Sequence, residues 1–274
     1  MQVQGKTHSL STDMNARLVG SGSGTVVLAH GYGTDQSLWD KILPDLARRH
    51  RVLAFDWIFS GAVKDPDMFD PVKYSSFDAF ADDLIALMEE VKLGPSVFVG
   101  HSMSGMIGCI ASIKRPELFK RIVLIGASPR YINSEDYEGG FDISEVEQLL
   151  SSIESDFHSW ASSFAPLVMD PNDPPSVTKF ETCLKRMRPE TALSVAKLIF
   201  LGDQRDMLEK VTVPCTFVQT TNDIVVPNSV PELMAKKIKG KSTVEVIEID
   251  GHFPQLTAHL QLLEVLRDVP DFDL

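Results

Sequence analysis

The sequence predicts an α/β fold built on a doubly wound, mostly parallel sheet with helices on both faces, and three observations predict it. Short apolar runs rich in Val and Ile recur along the chain, bounded by Gly, Pro or charge, which is the signature of buried strands. The runs are almost continuously apolar rather than alternating, as suits parallel strands covered on both sides. Longer segments of helical periodicity separate them, and strand–helix alternation selects the α/β class.

The strand candidates are TVVLAH (25–30), RVLAFD (51–56), SVFVGH (96–101), RIVLIGAS (121–128), CTFVQTT (215–221) and TVEVIEID (243–250), with ARLVG (16–20) as an added edge strand. The helix candidates are SLWDKILPDLARR (37–49), SFDAFADDLIALMEEVK (76–92), SGMIGCIASIKRP (104–116), VPELMAKKIK (230–239) and AHLQLLEVLRDV (258–269). One block breaks the rhythm. From about residue 135 to 202 no strand is expected, and four helix-like segments (ISEVEQLLSSIES, FHSWASSFAPLVM, PSVTKFETCLKRM, PETALSVAKLIFLG) follow one another. Their aromatic content exceeds what small surface helices need, so a four-helix lid over an apolar pocket is favoured over four ordinary packing helices. The expected organisation is a core of residues 1–134 and 203–274 with a helical lid at 135–202.

The chain has 274 residues, a net charge of −12 and a pI near 5.0. That charge repels a nucleic-acid duplex and argues against binding one. Cys109, Cys183 and Cys215 are odd in number and match no zinc or CxxC spacing, so free thiols in a reducing compartment are expected. The first twenty residues lack the basic and apolar regions of a secretory leader, and no run approaches a membrane span. A cytoplasmic location, also nuclear, is the expectation, with no membrane partner.

The chemistry begins at VGHSMSG (99–105), which nearly spells the G-x-S-x-G nucleophile elbow with the last glycine displaced to 105. Ser102 lies where a strand turns into a helix, the context that lifts a hydroxyl above the sheet edge. A serine hydroxyl needs a base, and the base needs an orienting carboxylate. Asp223 follows the strand CTFVQTT and His252 follows TVEVIEID, giving the order Ser, Asp, His on one edge of the sheet. Singly, Asp223 reads as a turn residue and His252 as a loop histidine; together and in order, a catalytic triad is the better reading. HGYGTDQSLW (30–39) resembles the HG motif of such hydrolases, and the backbone N–H groups of Tyr32 and Met103 are the expected oxyanion hole.

His30 and His101 are expected to be structural, His50, His158 and His259 to lie at the surface, and Asp56 to form a turn. GSGSG (20–24) mimics a phosphate loop but lacks the lysine and following helix, and reads as a hairpin turn. No metal-ligand spacing occurs, and the chemistry calls for no cofactor.

HGYGTDQSLW, VGHSMSGMIG, IGASPRYINSEDYEGGF, WASSFAPL, FETCLKRMRPETALSVAKLIF, VTVPCTFVQTTNDIVVP and DGHFPQL run nearly the whole chain. Together they resemble the strigolactone and karrikin receptor family of plant α/β-hydrolases. The resemblance implies that Ser102, Asp223 and His252 act on butenolide lactones beneath a V-shaped lid of four helices. It also implies that ligand handling changes the lid, which then recruits an F-box protein and Clp-ATPase-like repressors. Tyr32, Tyr131, Phe141, Trp160, Phe164, Phe200 and Ile224 match the family's pocket positions. Two departures stand out. Tyr32 replaces a usual phenylalanine and makes the pocket more polar. Asp56-Trp57-Ile58-Phe59-Ser60-Gly61-Ala62 replaces a glycine-rich loop near the site entrance, as in a divergent dwarf-fourteen-like branch. Hydrolysis of a small ester or butenolide, ligand sensing with slow turnover, and a silent scaffold all use this architecture; the complete triad argues against the last.

Overall fold

A computed structural model describes residues 9–272; residues 1–8, which carry part of the leader reading, lie outside the described residues. In chain order the elements are α1 (Leu10–Asp13), β1 (Arg17–Val19), β2 (Gly24–Ala29), α2 (Leu43–Ala47), β3 (His50–Phe55), α3 (Phe77–Glu90), β4 (Ser96–His101), α4 (Met103–Lys114) and β5 (Phe119–Ile125). Then come α5 (Ile143–Ser155), α6 (Phe157–Phe164), α7 (Pro174–Lys185), α8 (Pro189–Leu201), β6 (Cys215–Asn222), α9 (Ser229–Lys237), β7 (Ser242–Asp250), α10 (Pro254–Thr257) and α11 (His259–Asp268). The seven strands form one sheet of order β1-β3-β2-β4-β5-β6-β7, parallel except for β1, which runs antiparallel along β3.

This order sets the site. The chain steps from β2 outward to β3, then returns past β2 to β4 and continues the other way. The reversal opens a crevice at the carboxyl ends of β2 and β4, where ligands bind in open α/β sheets. Both strands are buried along nearly their whole length, and the sheet's Val, Ile, Leu and Phe side chains form a single core with α3 and α4. The four helices α5–α8 all lie between β5 and β6, and α5 packs on α8 and α6 on α7.

Three expectations are corrected here. The 37–49 segment is not one helix: a 3-10 turn at Gln36–Trp39 is followed by a break and then α2. Pro44 is the cause, because its ring clashes with the carbonyl four residues back and is tolerated only in a first turn, where it sits. GSGSG is not a hairpin turn, since β1 pairs with β3 and not with β2. Its glycines instead let the crossing chain lie on the end of α2 and the start of β3. A Cβ on Gly22 would fall 1.6 Å from the Arg49 carbonyl oxygen, and Gly20 has φ +83°. His50 is buried rather than exposed. Its Nδ1 lies 3.1 Å from the Leu46 carbonyl, and its ring packs on Phe272 and over Gly24.

Candidate active site

The turn from β4 to α4 presents Ser102 with φ 56° and ψ −125°, a left-handed conformation that costs on the order of 1–3 kcal/mol in a non-glycine residue and persists where the surroundings impose it. They impose it through glycines. A Cβ on Gly100 would fall 2.7 Å from the Gly105 nitrogen, and one on Gly105 would fall 2.6 Å from the Ala127 Cβ on the neighbouring strand's exit. The displaced glycine of the motif is therefore where the packing needs it. Ser104, between them, is fully buried with its hydroxyl bonded to the His30 carbonyl. Ser102 stands at the N-terminal end of a twelve-residue helix, so the helix dipole favours negative charge developing beside it.

Asp223 and His252 leave the ends of β6 and β7 side by side. His252 Nδ1 lies 2.6 Å from Asp223 Oδ2, and both side chains are almost wholly buried. The Val225 backbone N–H donates to Asp223 Oδ1 at 2.8 Å and Gln219 Nε2 to Oδ2 at 3.3 Å, which fixes the carboxylate. Gly126, with φ +56°, closes the other side: a Cβ there would lie 2.9 Å from His252 Cε1. With Nδ1–H given to Asp223, the imidazole Nε2 is left as the acceptor.

Ser102 and His252 line one cavity together with Tyr32, His101, Tyr131 and Phe200. Its remaining wall is Phe164, Val168, Phe180, Ile199, Val225 and Phe253, so the surface around the polar groups is apolar and aromatic. It offers about 30 Å³ of free space, enough for about two or three waters. The insert closes it. Tyr32 Oη donates to the Ala192 carbonyl of α8 at 3.0 Å, and the His252 backbone N–H donates to the Val168 carbonyl at 2.7 Å. Burial raises the Tyr32 and Tyr131 phenols well above their ordinary range, so both stay neutral. The Tyr131 hydroxyl is buried beside Ser102 without a hydrogen bond of good geometry.

The backbone N–H groups of Tyr32 and Met103 donate to no protein acceptor among the described residues. Gly31 brings the first of them close: a Cβ on Gly31 would sit 3.1 Å from the Ser102 Cβ. His101 Nε2 lies 2.9 Å from the His252 carbonyl and donates to it. Burial, with His252 next to it, holds His101 well below the usual histidine range, so the ring is neutral.

Of the pocket positions named from the sequence, Tyr32, Tyr131, Phe164 and Phe200 line the cavity. Phe141 and Trp160 stand behind that wall, against Phe200 and Phe164. Ile224 does not reach it: it is 53% exposed, because the turn after Asp223 sends alternate side chains outward and Val225 inward. The sequence reading missed Val168, Phe180, Ile199, Val225 and Phe253; helical spacing from Phe164 and the residues flanking Asp223 and His252 were the available signals. The loop from Asp56 to Ala62 is also not at the mouth of the cavity. Trp57, Ile58 and Phe59 are buried, and Trp57 and Phe59 pack in an aromatic cluster with Phe55 and Phe80. Asp56 is structural, accepting from Asn15 and Gln36.

Among the described residues no group of three or more His, Cys, Asp or Glu side chains could hold a metal ion, and all three cysteines are buried and unpaired. No helix among them is long and apolar enough to cross a membrane.

Comparison with known proteins gives four matches. The model of the alpha/beta hydrolase fold matches residues 24–258. The chain is 42% identical over 260 residues to the strigolactone esterase of Arabidopsis thaliana, covering 95% of this chain and 97% of that one. It is 43% identical over 260 residues to a karrikin insensitive 2 receptor of Petunia hybrida, covering 94% of each. Among solved structures, a hydrolase from Oleispira antarctica matches with a TM-score of 0.89 at 29% identity, covering 95% of this chain and 97% of that one.

Proposed function

The chain belongs to the alpha/beta hydrolase family, alongside strigolactone esterases and karrikin receptors, and from that premise we propose that it is a serine hydrolase of small butenolide, lactone or ester ligands. The observation that carries the reading is the buried His252–Asp223 pair at 2.6 Å opening onto the cavity that Ser102 lines. Ser102 Oγ attacks the ligand carbonyl and passes its proton to His252 Nε2. Asp223 holds the tautomer and stabilises the imidazolium. The Tyr32 and Met103 N–H groups take the oxyanion, each donor contributing about 3 kcal/mol. The tetrahedral species collapses, His252 protonates the departing oxygen, and water then cleaves the acyl-enzyme by the same route. No cofactor enters these steps. Helices α5–α8 serve as a lid, and the ligand is small and apolar because the wall is. Ser102→Ala should abolish turnover of a fluorogenic butenolide; near-normal turnover would refute the assignment.

A second reading, ligand sensing with slow turnover, is favoured by the receptor names among the relatives and by the lid's direct bonds to Tyr32 and to the His252 loop. In that reading the lid change recruits an F-box protein and Clp-ATPase-like repressors in the cytoplasm and nucleus. Ligand that leaves lid hydrogen exchange and F-box protein binding unaltered would remove its support.

A further inference from the structure

Trp57 lies outside the cavity, yet both of its N–H groups converge on the oxyanion loop. Its backbone N–H donates to His30 Nε2 at 3.0 Å. Its indole Nε1–H is shared between the His30 carbonyl at 2.9 Å and Ser104 Oγ at 2.8 Å. The Ser104 hydroxyl closes the triangle by donating to that same carbonyl. Ser104 follows Met103 in the first turn of α4, and His30 precedes Gly31 and Tyr32. One indole thus joins the two backbone segments that carry the proposed oxyanion donors.

The indole and Ser104 hold the His30 carbonyl in place, while the backbone N–H of residue 57, whatever its side chain, sets the tautomer of the His30 ring. Because Nε2 accepts from Trp57, the neutral ring carries its proton on Nδ1, which donates to the Gly31 carbonyl at 2.9 Å. Thr34 Oγ1 donates to the same oxygen at 3.0 Å. In a trans peptide the C=O and the following N–H point in opposite directions. Holding the Gly31 oxygen toward His30 and Thr34 therefore turns the Tyr32 N–H the other way. Burial lowers the His30 pKa against the pull of Asp56, which keeps the ring neutral, as this tautomer requires.

Resting on the hydrolase reading above, we propose that Trp57 is a positioning residue which, with Ser104, locks the His30–Gly31–Tyr32 segment so that the oxyanion site is formed before ligand arrives. Filling the core is a separate task that a phenylalanine also performs, since the ring packs edge-on against Phe55 and Phe80. Only the indole N–H separates the two.

The test uses the full chain with p-nitrophenyl acetate as substrate and phenylboronic acid as a probe that forms a tetrahedral adduct. Losing a whole oxyanion donor costs a hundredfold or more, so loosening one is expected to lower kcat about tenfold. Trp57→Phe should show that loss with KM within about twofold, and phenylboronic acid should weaken by the same factor as kcat. Trp57→Phe with Ser104→Ala should lose more than either alone. Thr34→Val should reproduce the defect from the other side and Thr34→Ser should restore activity. A labelled, active enzyme whose kcat and boronate affinity are indifferent to Trp57→Phe, or to Ser104→Ala where Trp57→Phe does not fold, overturns the lock, and indifference to Thr34→Val overturns the held Gly31 carbonyl on which it acts. Absence of a fluorophosphonate label on Ser102 in the unaltered protein overturns the hydrolase reading instead, and this role with it.

Discussion

Tyr32→Phe isolates the contact between the catalytic loop and the lid. The substitution keeps the ring and the backbone N–H and deletes only the hydroxyl that donates to the Ala192 carbonyl at 3.0 Å. Ala192 is an interior residue of α8, so its carbonyl keeps the helical bond from four residues on and no buried acceptor is orphaned. The net loss is then that of one ordinary hydrogen bond, about 1 kcal/mol, or about a fivefold shift in the closed-to-open ratio of the lid. That shift matters under the proposed function because the cavity beneath α8 has only about 30 Å³ of free space, so a bulky ligand would need α8 to give way. Hydrogen exchange over residues 189–201 should quicken about fivefold in the variant if it proceeds through local opening. KM for bulky butenolides should fall, with a smaller change on p-nitrophenyl acetate, which is small enough to need less lid opening. Unaltered protection in α8 would refute the tether, and equal loss on every substrate would show that the hydroxyl serves chemistry instead.

Asp223→Asn should leave the fold intact and lower kcat by about 10⁴, because the amide favours the wrong imidazole tautomer; steady-state kinetics on a fluorogenic ester check it. Gly126→Ala forces a Cβ to within 2.9 Å of His252 Cε1 at φ +56°. Displacing the base on that scale should lower kcat about a hundredfold, with a melting shift reporting the backbone strain separately. Asp203 receives Arg205 and Arg130, which outweigh the upward push of burial and bring its pKa to about 2. A carboxylate lowered from 3.8 contributes stability that is present above that value and lost as pH falls toward 2. The side chain is 35% exposed, so solvent screening limits the contribution to about 1 kcal/mol. Asp203→Asn should therefore melt earlier at pH 7, and the gap from wild type should close between pH 4 and pH 2.

The strands and the order Ser102, Asp223, His252 were legible because each rests on a local pattern: an apolar run, then a polar residue at its carboxyl end. The four insert helices were legible for the same reason, and α5 begins and ends where its periodicity does. What was not legible depends on partners distant in sequence. Nothing local to GSGSG says that β1 will skip over β2 to pair with β3. His50 reads as a polar residue between two elements, and part of what covers it is Phe272, more than two hundred residues away. Trp57 and Phe59 looked like bulk beside the site, whereas Phe80 of α3 draws both into the core. Ile224 and Val225 are equally apolar, and only the path of the turn after Asp223 decides which one faces the cavity.

Under the two proposed readings, turnover and sensing are not independent outputs of this architecture. The His252 loop is bound to the lid through its own backbone, His252 N–H to the Val168 carbonyl at 2.7 Å. Gly251, at φ +93°, is pressed so close that a Cβ would lie 2.8 Å from the Met169 carbonyl carbon. Tyr32, whose backbone N–H is the proposed oxyanion donor, gives its hydroxyl to α8. A lid displacement therefore disturbs the base and an oxyanion donor together, and any ligand state that shifts His252 or Tyr32 changes the free energy of the closed lid by the same amount, since coupling between two sites is reciprocal. A slow hydrolase and a conformational receptor are then two readouts of one equilibrium.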